Sequence, residues 1–179
     1  MDERGIDTPP QAEVFDVIDE NDRVIGRALR SQVHGNPELI HRVAHVLVFD
    51  SAGLLYLQKR ADDKDVQPGK WDTSVGGHVD AGEEYIGAAV REMREELGID
   101  GVEPERLYRY LHRNDFESEM VTTYRVVWDG PIDPDPSEIS DGRFWSLDRI
   151  DSTDRSVFTP NFLDELDRYR AFDARRRST

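Results

Sequence analysis

Glu92, Glu95 and Glu96 stand at i, i+3 and i+4 in the stretch GGHVDAGEEYIGAAVREMREELGI, residues 76–99. On a helix, about 100° per residue places the three carboxylates within an arc of roughly 100°. Two kinds of chemistry suit such a face. One is a solvated surface, where Arg91 and Arg94 offset like-charge repulsion of about a few tenths of a kcal/mol per pair. The other is a platform for a hard divalent cation, which takes carboxylate oxygens and keeps several waters. The helix itself is predicted from Ile86, Val90, Met93 and Leu97, which recur as one apolar stripe. Gly98 follows where a C-terminal cap belongs. The glutamates are expected to face away from that stripe.

The wider pattern decides between the two. Gly77 is followed by five residues, Glu83, seven residues, and then Arg91-Glu92-Met93-x-Glu95-Glu96-x-Gly98-Ile99. This resembles the Nudix box with every specified position filled. At residue frequencies of about 5–7%, a chance match at a given start is on the order of one in 10⁸ or rarer. The box spans 23 of the 179 residues. The resemblance implies hydrolysis of a diphosphate, in which divalent cations neutralise the shielding oxygens and acidify the attacking water. It implies that Glu92, Glu95 and Glu96 hold Mg²⁺ or Mn²⁺, with the carbonyl of Gly77 or its neighbour Gly76 as a further ligand. Glu83 would steady the site and Arg91 would orient a carboxylate. The catalytic set is then Glu92, Glu95 and Arg91, with the identity of the general base left open.

A narrower resemblance covers FDVIDENDRVIGRALRSQVHGNPELIHRVAHVLVFDSAGLLYLQKR, which is similar to the entry region of isopentenyl-diphosphate isomerases. Those Nudix relatives bind a metal through three histidines and two glutamates. The matching positions here are His34, His41, His78, Glu117 and Glu119, and they imply a second site. Imidazole ligands suit Mn²⁺ or Zn²⁺ better than Mg²⁺. One departure separates the chain from the isomerases: their catalytic cysteine precedes the Gly-His pair, and here that residue is Gly76 within TSVGGH. The missing thiol and the intact box favour hydrolysis over isomerisation. A non-catalytic nucleotide-binding module is the third reading, and it has no need of all the glutamates.

Other residues carry both a functional and a plainer reading. Arg60 and Lys70 flank the phosphate side in the Nudix arrangement, or are ordinary surface charge. Glu138 is a late catalytic base or loop charge. His45, inside an apolar strand pattern, reads as a packed or paired histidine, and His112, ending a strand, as solvent-facing. Trp71 and Trp145 read as core rather than as base-stacking platforms.

The elements that position these groups can be read along the chain. Residues 1–12, with Pro9-Pro10, read as a flexible leader, and 13–179 as a single Nudix domain. Val14–Ile18 and Val24–Ala28 form a hairpin across a turn at Glu20-Asn21-Asp22. A segment broken by Gly35 and Pro37 follows. A second hairpin begins at Val46–Phe49 and turns at Asp50–Gly53. The stretch DDKDVQPGKWDTS reads as a polar loop ending at Trp71. Further strands are predicted at Leu107–Leu111, Met120–Trp128 and Arg143–Ser146, with the acidic loop DGPIDPDPSEISDG before the last. Thr159 and Pro160 start a final helix. The order suits an α/β fold, a Nudix-type α/β/α sandwich with a mixed central sheet.

Composition bounds the function. The 179 residues carry a net charge of −15, are 34% charged and 37% hydrophobic, and contain no cysteine. Disulfides, thiolate metal sites and cysteine nucleophiles are excluded. The acidity repels phosphate backbones, so nucleic acid is not the expected partner. No apolar run approaches the roughly 18 residues of a membrane span, and MDERGIDTPPQAEV, without a basic stretch or an apolar one, is not expected to act as a secretory signal. A cytoplasmic enzyme acting on a small-molecule diphosphate is expected, as a homodimer by resemblance. Only Lys59, Lys64 and Lys70 are lysines among 23 basic residues. That bias fits either a salt-rich cytoplasm or a genome favouring arginine codons.

Overall fold

The structure is a computed structural model that describes residues 13–64 and 66–178. The expected leader, residues 1–12, lies outside the described residues. The elements in chain order are β1 (Val14–Ile18), β2 (Val24–Leu29), α1 (Arg30–Val33), β3 (Ile40–Phe49), β4 (Leu55–Arg60), β5 (Trp71–Asp72), β6 (Val75–His78), α2 (Tyr85–Leu97), β7 (Glu105–Arg113), β8 (Ser118–Val127), β9 (Ile139–Trp145), α3 (Leu147–Ser152), a 3₁₀ turn (Arg155–Val157) and α4 (Pro160–Arg177).

β3 organises the sheet. Along one edge it pairs in parallel with β8, from Ile40↔Ser118 to Phe49↔Val127. Its other edge is shared by three antiparallel partners: β1 at Ile40 and His41, β6 at Val43–Val46, and β4 at Phe49. One strand therefore serves several neighbours, and the sheet is mixed. α2 covers one face through Ala88, Ala89, Met93 and Leu97, packed on Ala44, Val46 and Val48. α4 covers the other through Phe162, Leu166 and Tyr169, packed on Leu47, Phe49, Leu55 and Leu57. This is the expected α/β/α arrangement.

Several boundaries differ from expectation for identifiable reasons. β3 begins at Ile40, six residues before Val46, because His41 and Arg42 interrupt the apolar run but are tied in by the ladder to β8. β5 falls at the end of the stretch read as polar loop, and β6 lies just beyond it where no element was assigned, since glycines at 76 and 77 hide a strand that pairs fully with β3. β9 begins at Ile139, inside the expected acidic loop, because Ile139 is buried and pairs with Arg60. β8 begins at Ser118, so Glu119 is a strand residue rather than a preceding one.

The helix α2 is rotated from the expected stripe. Ile86 is 39% exposed and Val90 only half-buried, whereas Tyr85, Ala88, Ala89, Met93 and Leu97 are buried. The two alanines allow close approach to the sheet, so that side turns inward. Glu96 lies about 20° and Glu92 about 60° around the helix from Ala89. Two of the three glutamates therefore border the buried face instead of pointing away from it. Gly98 caps the helix in the left-handed conformation, φ 66°, as expected. The β1–β2 turn docks on the same face: Asp22, at φ 62°, accepts from Arg42 Nε at 2.6 Å, Arg109 NH1 at 2.5 Å and Tyr85 Oη at 3.0 Å.

Candidate active site

Arg91 organises the carboxylates. Its guanidinium makes a two-pronged pair with Glu83, donating from Nε at 3.1 Å and NH2 at 2.9 Å. NH1 donates to Glu92 Oε1 at 2.6 Å and to Glu95 Oε2 at 3.4 Å, and NH2 donates to the His78 carbonyl at 3.0 Å. One planar cation thus fixes three carboxylates against β6. Burial disfavours charge on Glu83, but Arg91 and the Asp80 amide outweigh it and hold its pKa down. Glu92 is 15% exposed. Burial raises its pKa despite Arg91. Glu96 is pushed well above the usual carboxylate range, first by burial and then by the charge on Glu92. Its Oε2 accepts from Gln58 Nε2 at 3.0 Å. Glu95, 54% exposed, is the outermost of the three.

Gly77 is dictated by this packing. A Cβ there would fall well inside 3 Å of Glu92 Cγ, Cδ and Oε1, so no other residue leaves room for the carboxylate. At the adjacent Gly76, on the opposite face of β6, an added Cβ would meet His45 Cδ2 at 3.3 Å, a tight contact rather than an overlap.

The structure brings the five other metal-ligand candidates together. Ligand atoms of His34, His41 and His78 lie within 4.8 Å of one another, as do those of His41, Glu117 and Glu119. His34 Nε2 is 3.2 Å from His78 Nε2 and 3.9 Å from Glu117 Oε2, and His41 Nε2 is 3.8 Å from Glu119 Oε1. β3 supplies His41, β6 supplies His78, β8 supplies Glu119, and α1 ends at His34. Burial lowers the pKa of all three histidines, that of His41 to about 4. Burial and the neighbouring Glu117 raise Glu119 to about 7. His41 is fully buried, yet its Nε2 has no hydrogen-bond partner among the described residues. A cleft of about 340 Å³ lined by Glu13, Leu29, Arg30, Ser31 and His34 opens beside the cluster.

Comparison with known proteins agrees with this geometry. A family model described as NUDIX domain matches residues 39–166. The chain belongs to the Nudix family. It is 33% identical over 154 residues to an uncharacterized Nudix hydrolase of Yersinia pestis, covering 86% of this chain and 84% of that one. It is also 32% identical over 137 residues to isopentenyl-diphosphate Delta-isomerase 1 of Photorhabdus laumondii, covering 73% and 78%. A crystal structure from Deinococcus radiodurans superposes with a TM-score of 0.67 at 28% identity, covering 77% of this chain and 86% of that one. The MutT protein of Methanosarcina mazei, at 19% identity and TM-score 0.61 over 73% and 95%, shares the fold. The protein is a Nudix hydrolase, in a branch that includes isopentenyl-diphosphate isomerases and without their cysteine.

Around this Nudix site the remaining candidates divide. Arg60 donates from Nε to the Val66 carbonyl at 2.9 Å and lies 3.5 Å from Asp72. Lys70 sits on the same loop, half-buried, its carbonyl accepting from the Arg60 amide. Glu138 pairs with Lys64, close enough to raise Glu96 electrostatically. Trp71 and Trp145 are core, edge to face at 5.1 Å. His112 corrects its reading: its side chain is 19% exposed, with Nδ1 4.0 Å from Asp164 Oδ2, because α4 lies over that end of β7. His45 is paired as expected, but its partner was not legible. Nδ1 is 2.8 Å from Glu165 Oε2 of α4, and Glu165 also accepts from Tyr108, Tyr110 and Thr123. Burial opposes charge on both, and the pairing overcomes it, raising His45 and lowering Glu165. Gln58 and Asp72 were missed as well. Neither falls in a motif, and Asp72 acts electrostatically on Glu96, His45 and Glu119 alike.

Proposed function

We propose that this Nudix hydrolase uses Mg²⁺ or Mn²⁺ to cleave the diphosphate linkage of a nucleoside diphosphate derivative or a similar small diphosphate. The observation that carries the reading is the pair Glu92 and Glu96, two neighbouring carboxylates, one packed on Gly77 of β6 and the other hydrogen-bonded to Gln58 of β4. Burial first, and the charge of neighbouring carboxylates after it, raises the pKa of both. Carboxylates crowded in a partly buried place fit a divalent cation held by Glu92, Glu95 and Glu96, with the Gly77 carbonyl assigned as a further ligand. The bound cation supplies neutralisation of the phosphate oxygens and acidification of water. The chain's own residues do the positioning. Arg91 keeps Glu92 and Glu95 aligned, Glu83 keeps Arg91 in place, and Gln58 orients Glu96. Arg60 and Lys70, on the loop beside Asp72, are assigned to the substrate phosphates.

The His34, His41, His78, Glu117 and Glu119 cluster is assigned a second Mn²⁺ or Zn²⁺. Imidazoles that burial keeps neutral, and a buried Nε2 of His41 without a hydrogen-bond partner among the described residues, are what such an ion requires. Its role is to brace the entry segment or grip the diphosphate. Cytoplasmic location, action without nucleic acid or membrane, and a homodimeric state complete the proposal. No helix among the described residues is long and apolar enough to cross a membrane.

The test is a release assay for phosphate or nucleoside monophosphate with Mg²⁺ or Mn²⁺, across sugar nucleotides, dinucleotides, oxidised nucleotides and prenyl diphosphates. Metal-dependent release is expected. Deuterium exchange into isopentenyl diphosphate without release would establish the isomerase, and tight binding without turnover would establish the binding module.

A further inference from the structure

Phe15 of β1 is fully buried, and its hydrophobic neighbours Val17, Ala28 and Val33 account for that burial. They do not account for the angle at which its ring lies. The ring is inclined by 14° to the imidazole of His78, with centroids 4.7 Å apart, and by 14° to that of His41 at 5.7 Å. The two imidazoles are themselves stacked at 5.2 Å and 26°. Every other ring pair among the described residues is inclined by 34° or more. Three rings thus form one nearly parallel group inside the histidine cluster. β1 is set there by the segment that follows His78: Phe15 bridges to Asp80, and the Ala81 amide donates to the Val14 carbonyl at 2.9 Å.

An imidazole binds an ion through a lone pair in its ring plane, so the plane decides where the nitrogen points. The strands fix the backbone of the two histidines, through Val17↔His41 and Val43↔His78, but χ2 of histidine is a soft torsion. In most metal sites the second ring nitrogen fixes the plane by donating to a carbonyl or carboxylate. His41 has no such anchor. Both of its ring nitrogens are buried without a hydrogen-bond partner among the described residues. The Leu39 carbonyl favours its charged form but lies outside hydrogen-bond geometry. What resists rotation about χ2 is the stack, which turning either imidazole would break. The phenyl face contributes as well. Imidazoles that hold a cation gain positive character, and the negative face of an aromatic ring attracts it. A leucine would fill much of the same space and do neither.

We propose that Phe15 is a positioning residue for the second ion, its ring holding the planes of His41 and His78 so that their lone pairs converge with that of His34. His34 stands outside the stack. Its ring is inclined by 39° to His41 and 43° to His78, and its Nε2 lies 3.2 Å from His78 Nε2. Its approach is set by the end of α1 rather than by Phe15. The proposal rests on the assignment of a transition ion to the histidine cluster.

The test uses the full chain, stripped of transition metal and kept in excess Mg²⁺ so that the helix carboxylates are occupied. Co²⁺ is the probe, because its visible absorption bands report both binding and coordination geometry. Wild type is expected to bind one Co²⁺ per chain. Phe15→Leu and Phe15→Met, which keep an apolar side chain and lose the ring, should each bind about tenfold more weakly and with an altered band shape. Phe162→Leu is the control: Phe162 is an equally buried ring in the α4 layer, so its loss lowers the melting temperature while leaving Co²⁺ affinity and spectrum as in wild type. In wild type itself, added Zn²⁺ should move the ring resonances of Phe15 in NMR and leave those of Phe162 in place, a reading that needs no variant to fold. Wild-type affinity and band shape in both Phe15 variants, an equal loss in Phe162→Leu, or Phe15 resonances that ignore Zn²⁺ would overturn the positioning role and leave the assignment of an ion to the cluster standing. A wild-type chain that binds no Co²⁺ would overturn both.

Discussion

Replacing Gly77 by alanine adds one methyl group at the point where the structure has least room. The new Cβ would sit inside 3 Å of Cγ, Cδ and Oε1 of Glu92. The backbone at 77 is not in the left-handed region, so alanine brings no dihedral strain. By itself the change would even stabilise by about 0.4–1 kcal/mol through the unfolded state. Overpacking costs about 1–3 kcal/mol. Displacing Glu92 also breaks its 2.6 Å bond to Arg91, worth about 1–2 kcal/mol for a partly buried charged pair. The net expectation is a loss of about 2–3 kcal/mol and at least about a hundredfold in turnover, since Glu92 leaves the cation platform. The three closest contacts lie beyond the Cβ of residue 92, so a double-mutant cycle isolates them. In a Glu92→Ala background, Gly77→Ala should cost nothing or stabilise slightly, giving a coupling of about 2–3 kcal/mol by urea denaturation. An equal cost in both backgrounds would show that Gly77 serves the backbone rather than the carboxylate.

The other outcomes follow from burial and charge. Glu96→Gln should abolish metal-dependent hydrolysis, and the metal-free protein should be as stable as wild type or more so at pH 8, since a buried charge with a raised pKa is removed; near wild-type turnover with Mg²⁺ would refute its role. Glu119 has a folded pKa of about 7 against an ordinary value of 4.5, so its contribution to stability is present below pH 4.5 and lost as pH rises through 7. Metal-free Glu119→Gln should lack that decline relative to wild type, by a few kcal/mol at most in thermal unfolding between pH 4.5 and 7.5; parallel curves would contradict the burial argument. Purification without added metal, followed by removal of Mg²⁺, should leave about one transition ion per chain by elemental analysis. The His41→Ala/His78→Ala protein should lose that ion, and identical metal content and melting temperature in both proteins would mean that the five residues are scaffold.

Much of this protein was legible in one dimension because its chemistry is local. Gly77, Glu83, Arg91, Glu92, Glu95 and Glu96 lie within 20 residues, and helical geometry alone groups the carboxylates. The caps at Gly98 and Thr159 are local too, and the structure has both, Thr159 Oγ1 accepting from the Phe162 amide at 3.1 Å. Residue type also sufficed to exclude thiol chemistry. The rest depended on contacts across the chain. Periodicity marked Ile86 as inward, but the close approach allowed by Ala88 and Ala89 turned Glu92 and Glu96 toward the sheet. Two glycines concealed β6, because strand signals come from side chains and these residues are there to make room for Glu92 and His45. Glu165 is 120 residues from His45 and carries no motif. Only the packing of α4 against β3 brings that carboxylate under the imidazole, and burial then makes the pair matter: away from water, each group needs the other.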